Sequence, residues 1–244
     1  MRRITWLGHA TVLIEADGAR LLTDPVLRDR VAHLRRRVRP AREPGRLDGV
    51  LVSHVHYDHL DRPSLRRVAA RDVAAVVPAG AARLLGRLPF GTVHEVRAGD
   101  AVDVAGVRVE AVQAWHDGRR RPGSEAFETL GFVADGVWFA GDTGLDDGMA
   151  ALRGAVDVAL VPIWGWGPSL GPGHLDPRTA AQAVALVQPR VAVPIHWGTF
   201  LPIGARRRHS ALLTEPPERF AAHVAELAPA TRVETVAPGG TVEL

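Results

Sequence analysis

Within Ser53-His54-Val55-His56-Tyr57-Asp58-His59-Leu60-Asp61, three imidazoles and a carboxylate fall in six consecutive positions, directly after the apolar run Val50-Leu51-Val52. A strand alternates its side chains, so His54 and His56 face the same way at its end, while Asp58 and His59 return from the following turn. Setting four such polar groups at the end of a hydrophobic strand costs several kcal/mol unless each finds a partner, and a divalent cation satisfies all of them at once. The spacing from two directions reads as two ions. A lone histidine is ordinarily a satisfied core or surface residue, but density and strand context argue against that here.

Further ligands are then required, because the cluster supplies too few groups for two ions. They appear in the same strand-then-ligand relation: His116 after Val109–Trp115, Asp142 after Trp138-Phe139-Ala140-Gly141, His196 after Val191–Ile195, and Asp24 after Leu21-Leu22-Thr23. The chain has no cysteine, so thiolate-ligated sites and disulfides are excluded and imidazole and carboxylate remain. Mixed His and carboxylate donors suit zinc, the default, and equally manganese or iron.

Short apolar or alternating runs predict strands at Ile4–Leu7, Val12–Glu15, Arg20–Thr23, Val50–Ser53, Val73–Val77, Val102–Val104, Val107–Gln113, Leu130–Ala134, Val137–Ala140, Val156–Val161, Val191–Ile195 and Arg232–Val236. Helices are expected at Ser64–Arg71, Ala79–Leu88, Leu145–Gly154, Pro177–Val187 and Glu215–Leu227, the fourth with Asp176 as N-cap and Pro177 in its first turn. Hairpins dominate the first half and helices enter between strands throughout. The expected fold class is α/β (α+β), a four-layer αββα sandwich of two mixed sheets face to face with helices outside. With 244 residues, 46% of them hydrophobic, one domain over 1–244 is the expected organisation. No sequence repeat is visible.

No apolar run approaches the ~20 residues that span a bilayer, and the N-terminus enters strand-like sequence without a signal-peptide core, so a cytoplasmic location is expected. All 30 basic residues are arginine, and the formal net charge of +3 is too small to indicate a nucleic-acid partner. Leu27, Val31, Leu34 and Val38, with Arg28, Arg30, Arg35, Arg36, Arg37 and Arg39 between them, follow a basic amphipathic helix pattern. Two readings stay open: a cover over the site that attracts an anionic substrate or touches a membrane surface, or a plain surface helix. Arg119-Arg120-Arg121, just after His116, raises the same alternatives, with phosphate contact among them.

The H-x-H-x-D-H run from His54 to His59 resembles the signature of the metallo-β-lactamase superfamily. Trp6-Leu7-Gly8-His9-Ala10-Thr11, Leu22-Thr23-Asp24-Pro25, Ala140-Gly141-Asp142-Thr143-Gly144 and Ile195-His196-Trp197-Gly198-Thr199-Phe200 look like the branch that holds N-acyl-phosphatidylethanolamine phospholipase D and ascorbate-6-phosphate lactonase. The resemblance implies one ion on His54, His56 and His116, a second on Asp58, His59 and His196, Asp142 bridging them, and Asp24 behind the ligands, orienting one. A turn-former before Pro25 is the other reading of Asp24. It also implies a metal-dependent hydrolase whose nucleophile is a hydroxide shared by the ions, with Asp58 orienting it through its second oxygen, acting on a phosphodiester of a small or lipid-like anionic substrate. A lactone or other carboxylic ester is the alternative, and a non-catalytic metal- or lipid-binding protein a further one. His174, before a helix N-terminus, matches a histidine of the phospholipase motif; it contacts phosphate, protonates a leaving group, or merely packs. His9 is expected to be structural, Tyr57 to line the entrance, and Trp164, Trp166 and Trp197 to form an apolar wall or core.

Overall fold

The computed structural model describes residues 2–38, 43–167, 169–205 and 211–244. In chain order the strands are β1 (Arg3–Gly8), β2 (Thr11–Ala16), β3 (Ala19–Thr23), β4 (Arg30–Val31), β5 (Leu34–Arg36), β6 (Gly49–Leu51), β7 (Ala74–Pro78), β8 (Thr92–Val96) and β9 (Ala101–Val104). They continue as β10 (Val107–Gln113), β11 (Leu130–Ala134), β12 (Val137–Phe139), β13 (Val158–Pro162), β14 (Val191–Ile195), β15 (Phe200–Pro202), β16 (Arg232–Val233) and β17 (Thr241–Glu243). Among the described residues four α-helices intervene: α1 (Arg62–Val68), α2 (Ala82–Leu85), α3 (Pro177–Val187) and α4 (Pro216–Leu227). The segment expected as a helix at Leu145–Gly154 is instead a 3₁₀ helix over Asp147–Leu152, capped by Asp146 through Gly148 N.

Two seven-stranded sheets carry the fold, ordered β17-β1-β2-β3-β6-β7-β8 and β16-β14-β13-β12-β11-β10-β9. Both follow one plan. From β17 to β3, and from β9 to β12, neighbours are antiparallel; from β3 to β8, and from β12 to β16, they are parallel. β1 therefore occupies in one sheet the place of β10 in the other, and β3 the place of β12, a repeat of topology that the sequence does not display.

Period-two burial builds the layers. Ile4, Trp6, Val12, Ile14 and Leu21 face the second sheet and share one core with Val109, Phe132 and Val137, whereas Leu7, Leu13 and Leu22 point outward into a second cluster with Leu65 of α1 and Leu85 of α2. Each fully buried Leu, Ile or Val contributes about 1.5–3 kcal/mol of transfer free energy. On the far side α3 turns Ala180, Val184 and Val187 into the main core and packs on α4. Its start is a capping box: Asp176 accepts from Thr179 N and Arg178 N while Thr179 Oγ1 accepts from Asp176 N. Asp176→Ala is expected to cost about 1 kcal/mol, seen as a melting temperature lower by about 2–4 °C. An unchanged thermal transition would show the cap to be idle.

The expected basic helix over Leu27–Arg39 is not one. Its described part forms a hairpin, β4 and β5, with Val31 paired to Leu34 across the two-residue turn Ala32-His33. β15 adds a third strand through Leu34–Arg36, and Val26, Val31, Leu34 and Phe200 close a small core of their own. Nor are its arginines one solvated face. Arg36 is buried, donating to Val26 O, and Arg28 forks onto both oxygens of Asp61. Arg39 lies outside the described residues. Among the described residues no helix is long and apolar enough to cross a membrane.

Candidate metal centre

Strand ends at one edge of the two sheets deliver the polar side chains. β6 leads into Ser53-His54, β10 into His116, β12 into Asp142 and β14 into His196. Two glycines make the close approach feasible. Gly141 has φ 64°, and a Cβ there would lie 2.6 Å from Leu130 O, so only glycine lets the chain turn tightly enough to present Asp142. Gly8 has φ 108° at an irregularity that ends the β1–β2 ladder, which turns His9 inward. His9 (φ 55°), Asp24 (φ 32°) and His196 (φ 64°) all hold positive φ without being glycine, a backbone cost that gathers at this one site.

His54 Nε2 lies 3.0 Å from His56 Nδ1, which is also 3.0 Å from His116 Nε2. A second group sets His59 Nε2 3.3 Å from both His196 Nε2 and Asp142 Oδ2, with Asp142 Oδ1 3.2 Å from His196 Nε2. The rings of His54 and His59 are 4.0 Å apart, so the two groups abut. All seven residues expected as ligands are thus assembled in one place, Asp58 among them at 4.0 Å from His59 Nε2.

Partner chemistry fixes the tautomers. His116 Nδ1 donates to Gly173 O (2.9 Å), His196 Nδ1 to Trp164 O (2.7 Å) and His59 Nδ1 to Asp24 Oδ2 (2.7 Å), and none of these oxygens can donate in return. Ser53 Oγ gives its proton to Asp24 Oδ2 at 2.5 Å and so accepts from His54 Nδ1 at 2.9 Å. Four Nε2 lone pairs are left meeting nitrogen or carboxylate oxygen at 3.0–3.3 Å. One proton on His56 Nδ1 cannot serve both of its neighbours, and Asp142 Oδ1 is buried with no hydrogen-bond partner. A divalent cation resolves these conflicts together, so the donor set fits a metal.

Electrostatics point the same way. Burial pushes the imidazolium forms of His54, His56 and His116 down, and takes His196 to about 3. Burial opposes charge on His59 as well, but Asp142 and Asp24 beside it outweigh that and hold its pKa well above the usual histidine range. Burial likewise disfavours the anion of Asp142, and the adjacent His196 and His59 overcome it, keeping the carboxylate ionised. His54, His56, His116 and His196 are thus held neutral around an ionised carboxylate, as a cation site requires, while on His59 a bound cation would take the place of the proton that Asp142 and Asp24 favour.

Asp24 is more than a turn residue: it accepts from His59 Nδ1, Ser53 Oγ and Ser53 N, and is fully buried. His9 was expected to be structural, yet its Nε2 reaches Asp58 Oδ2 at 3.1 Å and its ring lies 3.9 Å from that of His196. The second oxygen of Asp58 is therefore engaged rather than free, since Trp166 Nε1 donates to the same Oδ2 at 3.1 Å. The signal that would have found His9 is the one that found His116: an imidazole just past a strand end. Trp197 packs on Trp6 in the core, while Tyr57 is exposed at the cleft mouth under the guanidinium of Arg120. His174 Nε2 approaches Asp142 Oδ2 at 3.7 Å.

The sequence from 19 to 197 matches the β-lactamase superfamily domain. It is 34% identical over 254 aligned residues to a UPF0173 metal-dependent hydrolase of Methanopyrus kandleri, covering 99% of each chain. It is 30% identical over 230 residues to the N-acyl-phosphatidylethanolamine-hydrolyzing phospholipase D 1 of Caenorhabditis elegans, covering 82% of this chain and 64% of that one. In structure it resembles a metallo hydrolase of Ignicoccus hospitalis, with a TM-score of 0.72 at 24% identity across 99% and 97% of the two chains. A buried His and Asp donor set at the strand ends of a two-sheet sandwich, on a chain so matched, makes this protein a member of the β-lactamase superfamily and one of its metal-dependent hydrolases.

Proposed function

We propose that the protein hydrolyses a phosphodiester in a small or lipid-like anionic substrate, using two divalent ions. His54, His56 and His116 would hold one ion, Asp58, His59 and His196 the other, with Asp142 between them. Zinc, manganese or iron bound there would supply Lewis acidity and bring the ionisation of water toward neutral pH.

The observation that carries the anionic substrate is Arg120. Its guanidinium lines the cleft beside these donors, 4.1 Å over the Tyr57 ring, and donates to Val55 O and to Leu60 O. Among the described residues Arg120 forms no ion pair, and it feels Asp61 only at longer range, which leaves its charge to act on substrate oxygens. Val31, Leu34 and Trp166 add apolar lining beside His33, and the open cleft has a volume of about 230 Å³. That is below the ~300–1,000 Å³ common for drug-sized ligands, so a headgroup-sized piece fits and longer chains would lie outside. His174, anchored by Nδ1 on Gly171 O at 3.1 Å, is assigned to exchange a proton at Nε2 with the leaving-group oxygen. The nematode relative, named for hydrolysing a phospholipid diester, supports the same bond class.

A panel of phosphodiesters and lactones on metal-loaded protein tests this reading. Diester turnover that chelation abolishes and metal restores is expected; lactone turnover without diester turnover would replace it with a carboxylic ester hydrolase. Arg120→Gln is expected to raise KM for anionic diesters by about 10–100-fold, the worth of one charge-assisted hydrogen bond, while sparing uncharged esters. Equal losses on charged and uncharged substrates would assign Arg120 to loop packing instead.

A further inference from the structure

We infer that His9 and Trp166 are positioning residues that clamp Asp58 through a single oxygen, an inference that rests on the metal-centre reading above. Asp58 Oδ2 accepts from Trp166 Nε1 and pairs with His9 Nε2, both at 3.1 Å, and among the described residues Oδ1 accepts no hydrogen bond. Since Oδ2 is already committed twice, Oδ1 is the oxygen left with free lone pairs. The carboxylate can then neither rotate nor exchange its oxygens without breaking two bonds.

His9 is built for that task. It is 1% exposed, its backbone N–H donates to Thr199 Oγ1 at 2.8 Å, and its carbonyl accepts from His196 N at 2.9 Å. Its positive φ of 55° is a cost that this web of contacts sustains. The carbonyl also accepts from Trp6 Nε1 at 2.8 Å, tying the residue to the core. His9 follows β1, the strand that takes the place of β10 in the other sheet, so its position mirrors that of His116. One imidazole reaches the first group of donors, and its counterpart buttresses the second. Trp166 reaches Asp58 from the cleft wall, where its ring meets His33 edge-on at 4.7 Å at the tip of the β4–β5 hairpin. The clamp therefore ties Asp58 both to the core and to the wall against which substrate would lie.

Metal affinity, read by competition with a chromogenic chelator on zinc-loaded protein, tests the clamp without recourse to turnover. His9→Ala is expected to weaken one bound ion by about 10–100-fold and leave the other near wild type. His9→Gln, whose side-chain amide can still donate to Oδ2, is expected to recover most of the loss. Trp166→Phe keeps the ring, loses only the N–H, and should weaken the same ion by a smaller factor and lower kcat more than it raises KM. Wild-type affinity in His9→Ala, or His9→Gln as impaired as His9→Ala, would overturn the inference. Should His9→Ala fail to fold, Trp166→Phe decides it: unchanged affinity and kcat overturn the clamp. Wild-type protein that holds fewer than two ions would contradict the two-ion reading, whereas the comparison of variants still judges the clamp on whatever ion is held.

Discussion

Asp142→Ala is expected to strip bound metal and hydrolysis together, with activity falling by more than the roughly 10–100-fold typical of losing a partner behind the ligands. The carboxylate lies between His59 and His196 at 3.3 and 3.2 Å, is buried, and leaves Oδ1 without a hydrogen bond. No other carboxylate reaches both rings so closely among the described residues, so nothing replaces its charge. The same substitution should also lower the stability of the metal-free protein, because it removes the anion that His59 and His196 favour, although His59 keeps its contact with Asp24. Elemental analysis, turnover and thermal unfolding of the chelated protein separate these effects. A variant that kept full metal content and wild-type turnover would refute the site; one that lost both merely because it unfolded would show Asp142 to be structural.

The ligands were legible in the sequence because His54, His116, Asp142 and His196 each lie one or two residues past an apolar run, while His56, Asp58 and His59 complete the dense cluster that His54 begins. β10, β11, β14 and α3 were legible for the same reason, their periods being uninterrupted. What failed was local pattern without tertiary context. In Val31 and Leu34 a three-residue spacing puts two apolar side chains on one face of a helix, but it also makes them cross-strand partners over a two-residue turn, and both are buried here. Only pairing with β15, distant in sequence, decides between the two. β8 and β17 went unread because each is an edge strand whose pattern is mostly exposed. His9 was read as structural although, like His116, it follows a strand end; its partner Asp58 lies 49 residues away, where local pattern does not reach.

Asp24 is where the two readings of one residue part most sharply, and Asp24→Ala is expected to lower stability by about 3–5 kcal/mol, the cost of breaking a buried charged partnership. The carboxylate accepts from Ser53 N at 2.7 Å, Ser53 Oγ at 2.5 Å and His59 Nδ1 at 2.7 Å, in a position without solvent exposure. Alanine would leave three donors unpaired at about 1–3 kcal/mol each, less whatever water entering the vacated space recovers. For a chain of this size that corresponds to a melting temperature lower by roughly 6–20 °C. Metal affinity should fall as well, because Asp24 holds His59 in the Nδ1–H tautomer and, through Ser53, holds His54 in the same one. Asp24→Asn discriminates between the readings. Asparagine tolerates positive φ and precedes proline readily, so a residue that only shaped the turn would accept it without loss. Within the network it cannot serve: its amide brings donors where Ser53 and His59 already donate, and at least one of them is left facing N–H. Asn should therefore resemble Ala in metal affinity, measured by chelator competition, and in the thermal unfolding of the chelated protein, while wild-type values for Asn would return Asp24 to the role of a turn residue.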